Sequence, residues 1–227
     1  MHEHDGIIGD PTHDAAYWDH QTLNNDCAVV AQMSIINEYR DTPISETQAV
    51  FDAASHGWLG PDGTQPQDVG KLFDLYDIPY HVEQHASVNQ LASELDQGHH
   101  VIVGVNHSDL WYPGPVTHLY DSLGLTHTDH AICVTGINDK DPAHPMVIIN
   151  DSGVPDGAAK EYPLDQFMEA WHGSDFTYVA TSDPSPGFHG LNFNLSDFLG
   201  IGLVASAVTF VDNLVENANW DQILQQV

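Results

Sequence analysis

The sequence predicts an α+β fold, with helices in the first part of the chain and an antiparallel sheet in the second. Apolar residues recur mainly at helical spacing up to residue 98, whereas beyond residue 100 they form short β-branched runs bounded by polar turns. This separation of helical from strand patterns is typical of the α+β class. With 227 residues, 41% of them apolar, the chain is long enough to bury a substantial core.

Four helices are predicted in the first part of the chain. They cover residues 26–39, 45–57, 66–77 and 87–98. Either Asp26 or Asn25 can cap the first helix, and Ser45 with Gln48 forms a capping-box pattern at the start of the second. The fourth begins with another capping box and ends at a glycine, so its limits are well marked.

Short strands and one further helix are predicted in the second part of the chain, after a first short strand at 80–85. The later strands cover residues 100–107, 129–139, 145–151, 160–163 and 176–183, with a helix at 164–171. A loop rich in aromatic, proline and glycine residues is predicted at 108–128. The two strands at 129–139 and 145–151 are joined by a polar turn and should pair antiparallel.

A boundary is predicted at residues 184–190, where prolines and glycines break both kinds of element. This divides the chain into a domain at 1–183 and a linker with an apolar tail at 184–227. The tail's longest uncharged run, 198–211, has 14 residues, fewer than the ~20 that cross a membrane. We therefore expect no transmembrane segment and interpret the run as a buried or docking helix.

The charge of the chain limits its partners. Four Lys and Arg residues against 33 Asp and Glu residues give a formal charge of −29, which argues against nucleic acid or an anionic membrane. A basic peptide, another cationic partner or life at high salt fits better. The first residues lack the basic and apolar regions of a signal peptide, so we expect a cytoplasmic location or export without a classical signal peptide.

The two cysteines are too few for a disulfide framework, and both are expected to be reduced. Cys27 lies at the start of the first predicted helix, where unpaired N–H groups and the positive end of the helix dipole favour a thiolate. Cys133 lies inside a β-branched run and is expected to be buried and inert. From position alone, Cys27 could be a nucleophile or a small core residue.

A base and an orienting group for such a nucleophile occur later in the chain. His130 opens the strand at 129–139, and Asn150 and Asp151 end the next strand, where a hairpin could bring them beside His130. The same Asn-Asp-Ser-Gly run is also typical of an ordinary turn. The order Cys, His, Asp is therefore compatible with a catalytic triad without establishing one.

The segments QTLNNDCAVVAQ, GTQPQDVGKLFDLYDI, DHAICVTGIND and VIINDSG together resemble papain-like cysteine peptidases of the bacteriocin-processing, double-glycine leader type. The resemblance covers roughly residues 8 to 182. It implies a papain-like fold in which the nucleophile begins a helix packed on an antiparallel sheet. It also implies that Gln21 donates to the oxyanion, Cys27 is the nucleophile, His130 the base and Asp151 the orienting acid.

The chain departs from that family pattern at two places. Ala28 follows the cysteine where a glycine is common, and the turn reads NDSG instead of NDP. The first change keeps a small residue. The second leaves Asn150 as an alternative orienting group.

Further expectations concern metals and substrate. His2, His4, His13 and His20 lie near Asp5, Asp10 and Asp14, but no set of four ligands has the spacing of a known zinc site. We therefore expect neither metal nor cofactor. The loop before His130 is expected to contact substrate through Trp111, Tyr112 and His127.

The function that we predict is thiol-dependent hydrolysis of peptide bonds by a cysteine peptidase, acting on a peptide or protein substrate. One alternative is a papain-like binding or assembly module that docks a protein partner through residues 191–227. Another is acyl transfer by the same triad, in which an amine instead of water resolves the thioester.

Overall fold

A computed structural model describes residues 6–114 and 128–188. The predicted tail beyond residue 188 and the loop residue His127 lie outside this part of the chain. Helices are α1 Pro11–Asp14, α2 Cys27–Glu38, α3 Glu46–Ser55, α4 Lys71–Asp74, α5 Val88–Asp96, α6 His107–Trp111 and α7 Leu164–His172. Strands are β1 Ile7–Gly9, β2 Tyr80–Glu83, β3 Val101–Val105, β4 His130–Asn138, β5 Met146–Asn150, β6 Lys160–Pro163 and β7 Tyr178–Thr181.

The strands form one antiparallel sheet of seven, in the order β2-β7-β3-β4-β5-β6, with β1 also paired to β4. The predicted pairing of the strands at 129–139 and 145–151 is confirmed, since β4 and β5 pair antiparallel with Cys133 opposite Asn150. The start of β4 and the end of β5 consequently lie at the same end of the sheet. The predicted α+β class is confirmed.

Helices cover both faces of the sheet. Because side chains alternate along a strand, Val101 and Val103 pack with α5 and α7, whereas Ile102 packs with α2. On the α2 side, the buried cluster also includes residues from α3 and α4. Nearly every residue of α2 is buried, so this helix is the centre of its layer and has no solvent face.

The prediction of one continuous helix at 66–77 is wrong. The structure has a 3₁₀ turn at Pro66–Asp68 and then α4, separated by Gly70 with a left-handed φ of 97°. The Gly70 backbone N–H donates to Oε1 of Gln32 at 2.9 Å. A bond to the buried central helix therefore replaces the continuous helix that the apolar spacing suggests.

Other differences are local. The sequence analysis missed β1 and α1, which are short, and α6, which occupies part of the predicted loop at 108–128. The capping box predicted at α5 is confirmed, but at α3 Ser45 only accepts from the Gln48 N–H while the Gln48 side chain bonds Asp52. Within the described ranges, no helix is both long and apolar enough to cross a membrane.

Candidate active site

Cys27 is the first residue of α2. The helix begins there because Asp26 has non-helical dihedral angles and its carbonyl accepts the first bonds, from the N–H groups of Val29 and Val30. The unpaired N–H groups of this first turn favour negative charge on the sulfur. Cys27 is half-buried and unbonded to Cys133, so its thiol is both held by the core and open to a substrate.

His130 lies at the first position of β4, and its side chain is only 7% exposed. Its Nε2 is 2.7 Å from Oδ1 of Asp151, and the Cys27 thiol also contacts the ring. Because Asp151 occupies Nε2, Nδ1 is the nitrogen left for the thiol. Burial lowers the pKa of His130, but Asp151 and Cys27 outweigh it and raise the pKa to about 10. The geometry therefore favours an imidazolium beside the sulfur.

Asp151 follows β5 and is fully buried. Its Oδ1 accepts the Gly153 N–H at 2.8 Å, and its Oδ2 accepts the indole N–H of Trp111 at 2.9 Å. The indole N–H of Trp18 holds the Asp151 carbonyl at 2.8 Å. Burial acts to raise the pKa of Asp151, yet His130 and the donors Gly153 and Trp111 hold the pKa below its ordinary value. Asp151 can therefore stay charged in a buried position.

Asn150, the alternative orienting group, is directed elsewhere. Its amide nitrogen donates to the carbonyl of Asp14 at 2.9 Å, and its oxygen accepts the Ala159 N–H at 2.8 Å. Of the two candidates, Asp151 is the one whose side chain bonds His130.

Gln21 lies beside the turn that carries Asp151. Its backbone N–H donates to the Ser152 carbonyl at 3.0 Å, and its Oε1 accepts from the Ser152 hydroxyl at 3.0 Å. Its Nε2 donates one hydrogen to the Leu23 carbonyl at 2.8 Å. Since an amide nitrogen carries two hydrogens, a second is left to donate. The oxyanion role of Gln21 stays a prediction.

The three loop residues predicted to contact substrate have different positions. The ring of Trp111 meets that of His130 edge-on at 5.1 Å, so Trp111 covers the candidate base as well as bonding Asp151. Tyr112 is 71% exposed and packs its ring against Trp111. His127 lies outside the described residues. Contact of these side chains with substrate stays a prediction.

Sequence reasoning missed the carboxyl pair of Asp26 and Glu46. Asp26 is fully buried, whereas Glu46 at the start of α3 accepts the Thr22 N–H at 2.7 Å and the Thr22 hydroxyl at 2.9 Å. Burial, reinforced by the neighbouring Glu46, raises the pKa of Asp26 to about 7. Burial therefore favours the neutral form of Asp26 next to Cys27, while the bonds from Thr22 to Glu46 fix the loop that follows Gln21. The sequence indicates only a capping role for Asp26, and nothing in it relates Asp26 to Glu46.

Gly153 is another residue whose importance was missed. A Cβ at this position would lie 2.9 Å from Cε1 of His130 and 3.1 Å from the Trp111 ring. The departure NDSG contained the signal, since a glycine permits close approach of the backbone to a neighbouring ring.

Cys133 is buried as predicted, and its Sγ donates to the Ala31 carbonyl at 3.6 Å. Burial raises the pKa of this thiol far above its ordinary range. Cys133 therefore makes a poor competitor for the role of nucleophile.

No group of potential metal ligands occurs beside Cys27 and His130 in the part of the chain that the structure describes. One such group, formed by His13, Asp14 and Glu38, lies at the other end of α2.

A cysteine at the start of a buried central helix, beside a His-Asp pair on an antiparallel sheet, defines the papain-like class of cysteine-peptidase folds. The chain belongs to the Peptidase_C39 like family, whose sequence profile matches residues 5–179. The predicted family resemblance and papain-like fold are thereby confirmed.

Related sequences and structures agree with this assignment. Proteins of Mycobacterium bovis and Mycobacterium tuberculosis, both named as uncharacterized, are 32% identical over 202 residues, covering 77% of this chain and 84% of theirs. A C39-like protein from Bacillus anthracis superposes with a TM-score of 0.55 at 13% identity, covering 80% of this chain and all (100%) of that one. The peptidase domain of Streptococcus ComA superposes with a TM-score of 0.50 at 14% sequence identity. The match covers 73% of this chain and 97% of that one. At such identities the two structures support the fold alone.

Proposed function

We propose that the protein is a cysteine peptidase that hydrolyses peptide bonds with Cys27 as nucleophile, His130 as base and Asp151 as orienting acid. The observation that carries the proposal is the 2.7 Å bond from His130 to a buried, charged Asp151, with the Cys27 thiol at the same imidazole ring. Membership of a peptidase-like family supports the same class of activity.

The reaction proceeds in two halves. The Cys27 proton moves to His130, and the thiolate attacks the substrate carbonyl carbon to give a tetrahedral oxyanion, held by the Cys27 N–H and the Gln21 amide. The C–N bond breaks as His130 gives its proton to the leaving amine, which leaves a thioester. His130 then takes a proton from water as the hydroxide attacks the thioester carbon, the C–S bond breaks to release the acid product, and His130 returns its proton to the Cys27 thiolate.

The substrate is expected to be a peptide or protein segment, preferably basic. The net charge of −29 would attract cationic segments and repel acidic ones. Trp111 and Tyr112 lie at the candidate site and provide aromatic surface for a peptide.

Cleavage of an unbiased peptide library tests the proposal. We expect cleavage by the wild type, none by Cys27→Ala, and a rate about 10²–10³-fold lower in Gln21→Ala because one oxyanion donor is lost. Equal, small effects of both substitutions would overturn the assignment of the two roles.

Alkylation separates a peptidase from a binding module. Iodoacetamide should label Cys27 rapidly near neutral pH and Cys133 slowly, because only the first thiol lies at a helix start beside an imidazolium. Cys133→Ser is the matched control and should keep the fast phase. Uniformly slow labelling would favour a non-catalytic module instead.

A further inference from the structure

A second cluster of titratable side chains lies far from Cys27. Glu38 is the last of the 12 residues of α2, so at 1.5 Å per residue it is about 16 Å from the nucleophile. His13 and Asp14 belong to α1, and His100 immediately precedes β3. The side chains of Glu38, His100 and Asp14 are only 2%, 7% and 12% exposed, and that of His13 is 32% exposed.

Three side chains of this cluster, those of His13, Asp14 and Glu38, bring ligand atoms close to one another. His13 Nδ1 lies 3.3 Å from Glu38 Oε1 and 3.7 Å from Asp14 Oδ1, and all three groups have a ligand atom within 4.8 Å of the others. In a tetrahedral zinc site with bonds of ~2.0–2.1 Å, the ligand atoms are about 3.3 Å apart. The His13–Glu38 distance equals that of a zinc site, and the other distances are longer.

His100 supplies an independent indication. Its buried Nε2 forms an ion pair with Glu38 Oε2 at 2.9 Å, outside strict hydrogen-bond geometry. A nitrogen and a carboxylate oxygen this close can share a metal cation as well as a proton, because both are zinc ligands. This nitrogen is directed into the cluster, beside a small cavity that His13, Asp14 and His100 help to line.

We propose that His13, Asp14, Glu38 and His100 bind one Zn²⁺ ion. Two imidazole nitrogens and two carboxylates form a ligand set that suits zinc, and a divalent cation would compensate two carboxylates that are otherwise buried together. The chain has only four Lys and Arg residues for 33 acidic ones, so side-chain cations cannot neutralise most of its carboxylates.

The surroundings hold the ligands in place. The Asp14 carbonyl accepts from Asn150, and the Glu38 carboxylate accepts from the Ser185 hydroxyl. Such outer partners orient ligands in known metal sites. The ion would join α1, the end of α2 and the start of β3, so its role is to brace the helix that carries Cys27.

Zinc titration of the metal-free protein tests the site. The Cys27→Ser variant is used throughout, because a thiolate beside an imidazole could bind zinc itself. After removal of metals with a chelator, calorimetry should show one tight Zn²⁺ per chain. At a hundredfold excess over Kd the melting temperature should rise by about 5–10 °C.

Two further substitutions locate the ion. Glu38→Gln should weaken Zn²⁺ binding at least tenfold. His13→Ala should weaken it to the same extent, and because the His13 side chain is partly exposed, misfolding would not explain the loss. Glu94→Gln is the matched control, since Glu94 also bridges two histidines, His81 at 3.1 Å and His99 at 2.6 Å, without a second carboxylate. Unchanged Zn²⁺ affinity in His13→Ala and Glu38→Gln, equal weakening in Glu94→Gln, or no tight binding in the parent would each overturn the proposal.

Discussion

At the scale of single residues, the candidate site depends on groups that the sequence pattern did not identify. Cys27, His130 and Asp151 could be proposed because a helix start, a strand start and a strand end are visible in the sequence. Trp18 and Trp111 also contact the Asp151 turn, but these contacts join positions 133 and 40 residues apart. Contacts of that kind depend on the tertiary fold and leave no local pattern.

Gly153→Ala should impair the site without unfolding the protein. The added Cβ would press on the buried His130 ring, which is confined between Trp111 and Asp151, so the ring must shift. We expect cleavage of a library-selected peptide to fall about 10²-fold, the size of effect that a ~1 Å displacement of a catalytic group can have.

The matched control is Gly60→Ala, where the nearest atom to an added Cβ is 3.8 Å away. It should cleave at the wild-type rate. Wild-type cleavage by Gly153→Ala would mean that the close approach to His130 has no bearing on the reaction.

Asp26→Asn should stabilise the protein at alkaline pH. In the folded chain the pKa of Asp26 is raised from 3.8 to about 7, so the folded state binds more protons than the unfolded state between these values. The contribution of Asp26 to stability is therefore lost as the pH rises through this window. Asparagine is uncharged at every pH, so it avoids the cost of burying a carboxylate.

The free energy of unfolding, measured with urea, should exceed that of the wild type by about 1–2 kcal/mol at pH 8 and differ little at pH 4.5, since the opposite pKa shift of Glu46 offsets part of the effect. Asp62→Asn, at an exposed position, is the control and should show no such pH dependence. An equal gain in unfolding free energy at both pH values would contradict the raised pKa of Asp26 as the cause.

At the scale of elements, predictions succeeded where the local signal was complete. The capping box of α5 and the β-branched runs of β3, β4 and β5 marked their elements well. The segment at 66–77 failed because its apolar spacing fits a continuous helix, whereas the bond from Gly70 to Gln32 interrupts it. A buried glutamine on a separate helix cannot be inferred from local spacing.

Gly70→Ala should destabilise the fold by about 2 kcal/mol. Its φ of 97° is strained for any residue with a Cβ, and that atom would lie 2.6 Å from the Tyr80 ring. Gly57→Ala is the control, because its φ is 77° but nothing lies within 4 Å of the added Cβ.

Urea unfolding of both variants separates backbone strain from the clash. Gly57→Ala should lower the free energy of unfolding by only about 1 kcal/mol. Equal losses in the two variants would mean that contact with Tyr80 adds nothing.

At the scale of the whole molecule, the net charge of −29 sets the response to salt. Mutual repulsion of the carboxylates opposes the folded state, and raising NaCl from 0.1 to 1 M shortens the screening length from about 10 Å to about 3 Å. We expect the melting temperature to rise by about 3–8 °C, which corresponds to about 1–2 kcal/mol for a chain of this size.

KCl at equal ionic strength should act in the same way as NaCl, because screening does not depend on the identity of the monovalent cation. A melting temperature that stays constant or falls with salt would contradict repulsion as the limiting effect.

The position of Trp111 gives the candidate site an optical reporter. Its indole lies 5.1 Å from the His130 ring and bonds the carboxylate that holds that ring. A charged imidazole against an indole face or edge changes the emission of the excited indole. Fluorescence from this tryptophan, recorded in a variant without His107, whose ring lies 5.0 Å from the same indole, therefore offers a label-free record of when His130 gains or gives up its proton.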